Sequence, residues 1–73
     1  MEVEEYLTII AKNIKKMRAN KGFSIRELSQ LSGIQPQYLS KIENVNAKRI
    51  NLLHLEFLSK ALDIQTCALL TKD

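Results

Sequence analysis

With one cysteine, Cys67, the 73-residue chain cannot build an intramolecular disulfide framework, which points to a reducing cytosol as its natural setting. As a small hydrophobe in a helical region, that thiol is expected to be buried. The one histidine, His54, has no second histidine, cysteine or carboxylate at ligand spacing. A partly exposed helix residue is therefore expected rather than a metal ligand, and no cofactor is implied. No apolar run approaches the roughly 18 residues that span a bilayer. The opening Met1-Glu2-Val3-Glu4-Glu5 is acidic before it turns apolar, the reverse of a secretory signal. A cytoplasmic protein without a membrane partner is the expectation. Strand-like alternation, internal repeats, low-complexity segments and linkers are also missing. So are the constellations of catalysis: there is no paired acid and base, no nucleophile–histidine arrangement, no metal-ligand cluster and no glycine-rich phosphate loop. An enzyme is not expected, and no small-molecule ligand is evident.

What is present is enough for one small domain spanning residues 1–73, near the lower end of what folds on hydrophobic burial alone. An apolar fraction of 45% argues against disorder. The most informative stretch runs from Phe23 to Asn44. Ser24 is a good N-cap and Glu27, three residues later, completes a capping box, so a helix should begin at Ile25. Gly33 stands where that helix must stop in the left-handed conformation. The only proline, Pro36, falls at the first position of a following helix, where its missing N–H costs nothing. Leu28, Ile34, Leu39 and Ile42 are spaced to bury against one another across two crossed helices. The pattern is a helix-turn-helix over about residues 24–44.

The remainder reads as further helices. Val3, Tyr6, Leu7, Ile10, Ile14 and Met17 recur at steps of three and four, predicting an amphipathic helix from about 3 to 20 that ends at Lys21-Gly22. Asn51 is a plausible N-cap for a helix reaching about Leu62, with Leu52, Leu55, Leu58, Ser59 and Leu62 facing the core. Asp63 breaks the pattern, and a last short helix from about Thr66 to Leu70 would pack Leu69 or Leu70 on the core. The predicted fold is all-α, with five helices in one compact body.

The net charge of +3 conceals an uneven distribution. Lys12, Lys15, Lys16, Arg18, Lys21, Arg26, Lys41, Lys48 and Arg49 share their stretch with only Glu27 and Glu43, a local net charge of +7. The rest of the chain carries −4. A basic segment that coincides with a helix-turn-helix is the electrostatic footprint of a phosphate-binding face.

Several elements together resemble the lambda-repressor-like DNA-binding family of Cro or XRE type. They are Ile14-Lys15-Lys16-Met17-Arg18, Lys21-Gly22-Phe23-Ser24, Glu27-Leu28-Ser29, Gly33-Ile34, Tyr38-Leu39-Ser40-Lys41-Ile42-Glu43 and Ala61-Leu62-Asp63-Ile64. They cover about residues 10 to 70, nearly the whole chain. Each is weak alone, and their order and spacing make them specific. The size also resembles compact regulators of phages, mobile elements and restriction-modification systems, which implies a bacterial or phage-encoded cytoplasmic protein. The resemblance implies double-stranded DNA as partner and a recognition helix over about residues 36–44.

It also implies residue roles. Gln37 and Lys41, four apart, would project from one face of the recognition helix; in the major groove glutamine bonds adenine and lysine donates to guanine. Gln35 and Pro36 lie at the helix end that enters the groove, and Ser40 is a further base or phosphate contact. Pro36 occupies a position where related repressors often place a polar reader, so it would offer only its apolar ring. Phosphate contacts are implied for Ser24 with the amides after it, for Arg26, and for Lys48 and Arg49 in the following loop. Tyr38 would pack its ring on the first helix, and its hydroxyl is a candidate phosphate contact. Ile25 stands where the family usually has a phosphate-binding glutamine, and Asn13 where arginine is frequent. Arg18 and Glu43 match a structural ion pair between the first and third helices.

On the fourth helix Leu53 and Phe57 point away from the core stripe, at positions usually polar in this family. Such an apolar pair is expected to be a self-association patch, unless the long first helix folds back over it. A two-fold dimer would read a palindrome with half-sites about one helical turn, roughly 34 Å, apart. The expected function is a sequence-specific transcriptional regulator acting as a homodimer, blocking or recruiting polymerase. The alternative is a protein-interaction module, such as the antitoxin subunit of a toxin–antitoxin pair, whose Leu53/Phe57 surface meets another protein.

Overall fold

The computed structural model describes residues 3–46 and 50–71. Four α-helices, α1 (Val3–Lys21), α2 (Ile25–Ser32), α3 (Pro36–Glu43) and α4 (Leu52–Ala61), are followed by a 3-10 helix, Thr66–Leu70. No strand occurs among the described residues. The expected fifth helix is therefore a tight 3-10 turn rather than an α-helix. α1 packs on α3 and on the 3-10 helix, while α2 packs on α3 and α4. Ile10, Ile14, Leu28, Ile34, Leu39, Ile42, Leu55, Leu58, Leu62 and Leu69 make the buried core between them.

Local chemistry sets the helix boundaries. The Ser24 hydroxyl accepts from Glu27 N–H at 3.0 Å, and the Glu27 carboxylate accepts from Ser24 N–H at 2.9 Å. Such a reciprocal cap stabilises a helix start by about 1 kcal/mol. Gly33 ends α2 at φ 77°, its N–H bonded to the Ser29 carbonyl. Asn51 starts α4 by accepting from Leu53 N–H at 2.8 Å. The exits of α1, α3 and α4 share one device, a left-handed residue flanked by a six-to-one and a five-to-two hydrogen bond. The left-handed residues are Gly22, Val45 and Asp63. Phe23, Asn46 and Ile64 donate the longer bond to the carbonyls of Arg18, Lys41 and Ser59. At Val45 a β-branched side chain occupies a conformation that costs about 1–2 kcal/mol for L-residues. That strain lies immediately beyond the end of α3.

The core departs from the sequence reading at three places. Leu52 is 71% exposed rather than core-facing, because α4 only reaches the core one turn later, at Leu55. Cys67 is exposed, its thiol 3.6 Å from the Gln65 side-chain oxygen, rather than buried. Three residues per turn explain this: in a 3-10 helix positions three apart share a face. Leu69 and Thr66 turn inward, so Cys67 and Leu70 turn outward. Tyr6, placed on the inner stripe of α1, is also largely exposed.

Asn13 has a role that composition and periodicity did not reveal. It is buried, and its side-chain amide donates to the carbonyls of Leu69 at 2.8 Å and Thr71 at 3.0 Å. One amide thereby ties the end of the described chain to the middle of α1. Asn13→Leu is expected to leave those carbonyls without their donor and to cost about 1–3 kcal/mol. A urea titration followed by circular dichroism would register the loss, and an unchanged midpoint would contradict it.

Candidate nucleic-acid interface

The helix-turn-helix is built from α2 and α3 around one buried residue, Ile34, that follows the left-handed Gly33. α3 has two distinct sides. Leu39, Ile42 and Glu43 are buried, while Gln37 and Lys41 are exposed. At about 100° per residue, Gln37, Lys41 and Asn44 form a single outward row. Gln35 and Pro36 are exposed at the start of α3, which has no side-chain cap of its own. Ser40 is half-buried at the edge of the row, and the Asn44 side chain donates to its carbonyl at 2.9 Å and its hydroxyl at 3.3 Å. Asn44, not among the expected readers, is thus brought beside them; the i, i+4, i+7 spacing from Gln37 is the signal that would have found it.

A bidentate ion pair holds this helix against α1. Arg18 Nε donates to Glu43 Oε2 at 2.7 Å and Nη2 donates to Oε1 at 3.0 Å. A third donor, Nη1, reaches the Phe23 carbonyl at 2.8 Å. The guanidinium is pushed further above its usual range, first by the hydrogen bond to Glu43 and also by that carboxylate's charge, against an opposing effect of burial. A raised value in the folded state keeps Arg18 charged at any pH short of strong alkali.

Around α3 the expected phosphate contacts are distributed unevenly. Ser24 and Arg26 are exposed at the start of α2. The Glu27 carboxylate shares that helix start and occupies Ser24 N–H, so the amides of Ile25 and Arg26 are the donors left for an anion. Tyr38 is half-buried, its ring edge-on to His54 of α4 at a centroid distance of 5.0 Å. Lys48 and Arg49 lie outside the described residues. Between α3 and α4, Tyr38, Ile50, Asn51 and His54 line an open cleft of about 550 Å³. His54 Nδ1 is buried there without a hydrogen-bond partner. No group of three or more histidine, cysteine or acidic side chains that could hold a metal ion occurs among the described residues. No described helix is long and apolar enough to cross a membrane.

On the far side of α4, Leu53 is 56% exposed and Phe57 43% exposed. α1 therefore does not cover them, contrary to the fold-back alternative. His54 stands between this pair and α3, its ring 6.4 Å from that of Phe57.

An all-helical core that presents one polar helix beyond a glycine turn defines a helix-turn-helix protein. The helix-turn-helix family model matches residues 14–69, and the chain belongs to that family. It is 34% identical over 64 residues to the HTH-type transcriptional regulator SinR of Bacillus licheniformis, a match covering 88% of this chain and 58% of the relative. The SinR of Bacillus subtilis is 36% identical over 62 residues, covering 85% and 56% of the two chains. The chain thus spans a little over half the length of these relatives. The solved N-terminal DNA-binding domain of the Bacillus subtilis SinR superposes with a TM-score of 0.85 at 33% identity, covering 90% of this chain and 96% of that one. The restriction-modification controller protein C.AhdI of Aeromonas hydrophila superposes with a TM-score of 0.82 at 28% identity, covering 86% and 94%.

Proposed function

We propose that the protein is a sequence-specific transcriptional regulator, without enzymatic activity, that binds double-stranded DNA as a homodimer. The observation that carries this reading is the outward row Gln37, Lys41 and Asn44 on a helix whose opposite side is locked by Leu39, Ile42 and the Arg18–Glu43 pair. A rigid polar row of this kind fits a major groove about 12 Å wide and suits bidentate and charged contacts to base edges. Gln35, Pro36 and Ser40 border the same row. The start of α2, with Ser24 and Arg26, then faces the phosphate backbone on one side; Tyr38, Lys48 and Arg49 serve the other. The similarity to a solved DNA-binding domain and to proteins named as transcriptional regulators supports the assignment. Its working place is the bacterial nucleoid in the cytoplasm, where occupancy of a palindromic site would block or recruit polymerase. Concentration, a partner protein or cooperative binding to adjacent sites would set occupancy.

In vitro selection from random duplex DNA, at about 150 mM salt so that phosphate attraction alone does not dominate, tests the proposal. A palindromic consensus with half-sites one turn apart is expected. Weak, salt-sensitive binding with no enrichment would reject sequence-specific regulation by this chain alone.

A further inference from the structure

The turn that sets α3 in place is closed by side chains rather than by backbone alone. After Gly33 N–H bonds the Ser29 carbonyl at 2.8 Å, the next residue, Ile34, has no backbone partner for either of its polar groups among the hydrogen bonds of the turn. Two hydroxyls take them. Ser29 Oγ donates to the Ile34 carbonyl, and Ser32 Oγ accepts from Ile34 N–H at 3.3 Å. Ser32 is buried and Ser29 half-buried, so water is poorly placed to substitute. At the α3 start Gln35 makes no side-chain cap bond, and Pro36 contributes no N–H.

From these contacts we infer that Ser29 is a positioning residue for DNA reading. It touches no DNA; its hydroxyl fixes the angle between α2 and α3, and with it where Gln35, Gln37 and Lys41 fall relative to the clamp at Ser24. The inference rests on the proposed DNA-binding function. Base-edge bonds require donor–acceptor distances near 2.9 Å, whereas attraction to phosphates tolerates small rotations. Loss of the Ser29 hydroxyl is therefore expected to act on discrimination between DNA sequences more than on overall attraction to DNA.

The test compares the intact chain with Ser29→Ala and Ser29→Thr, using the duplex recovered by selection and a scrambled duplex at the same salt. The better helix propensity of alanine offsets only part of the cost of leaving the Ile34 carbonyl without its donor, so binding is compared well below the thermal midpoint of every variant, where each is folded. Ser29→Ala is expected to bind the selected duplex about tenfold more weakly, the equivalent of ~1.4 kcal/mol, with affinity for the scrambled duplex and the salt slope unchanged. Ser29→Thr, which keeps the hydroxyl, should restore discrimination. Amide exchange at Tyr38 and Leu39, the first donors of α3, should accelerate several-fold in Ser29→Ala without any DNA present. Equal weakening toward both duplexes with a lowered thermal midpoint would reduce Ser29 to a general structural role and overturn the inference. Wild-type affinities in Ser29→Ala would overturn it as well. An unsubstituted chain that fails to discriminate overturns the DNA-reading function and the role of Ser29 within it. The exchange measurement then still decides whether the hydroxyl holds the turn.

Discussion

Arg18→Met is expected to cost about 3–5 kcal/mol of folding stability, because it strands a carboxylate inside the protein. The Glu43 side chain is only 2% exposed, and both its oxygens are engaged by the Arg18 guanidinium. The same substitution removes the donor to the Phe23 carbonyl, loosening the exit of α1. Domains are typically stable by about 0.05–0.15 kcal/mol per residue, so for a chain of 73 residues the loss approaches the whole margin. The urea midpoint should fall by at least about 1.5 M. Pairing the substitution with Glu43→Leu should recover most of the loss, since an apolar pair of similar volume removes the stranded charge. A single variant that melts with the unsubstituted chain would show that Glu43 finds other compensation.

The double variant Leu53→Asp, Phe57→Lys is expected to be monomeric in analytical ultracentrifugation and to lose about a hundredfold or more in affinity for a palindromic duplex. Both side chains are exposed and four residues apart on α4, and Leu52 extends the apolar surface at the same end of the helix. Exposed positions of this kind alter folding stability by only about 0.5 kcal/mol, so the effect isolates association from folding. Without a dimer, each recognition helix must bind alone. The second half-site then no longer benefits from the effective concentration that linkage supplies, a factor of about 10²–10⁴. Affinity for an isolated half-site should be unaffected. A variant that remains dimeric would place the interface elsewhere. An unsubstituted chain that is monomeric would reject the homodimer and leave the Leu53/Phe57 surface to a different protein, as in the antitoxin alternative.

Most of the helical frame was legible because its signals are local. Ser24 with Glu27, Gly33, Pro36 and Asn51 act on backbone groups within a few residues, and the structure places a helix boundary at each. Where reading by periodicity went astray, the cause was the shape of the element rather than the residue type. Leu52 fits the apolar stripe of α4 but precedes the point where that helix meets the core. Leu69 packs on the core as one of the two expected leucines, whereas Cys67 turns outward because the last element turns every three residues instead of 3.6, which an isolated Thr66–Leu70 segment does not reveal.

The candidate site divides in a similar way. Gln37 and Lys41 follow from helical spacing once a recognition helix is granted, and Asn44 follows from the same rule extended by one turn. The sequence by itself determined the order of the helices, the glycine turn, the basic segment and the polar row, since each depends on neighbours along the chain or on charge, which needs no partner. Tertiary structure alone decided that Asn13 clamps Leu69 and Thr71, that Ser29 and Ser32 close the turn at Ile34, and that Leu53 and Phe57 stay uncovered. The first of these contacts joins residues more than fifty positions apart. A hydrogen bond depends on distance and angle in space, and those are settled only when the helices have packed.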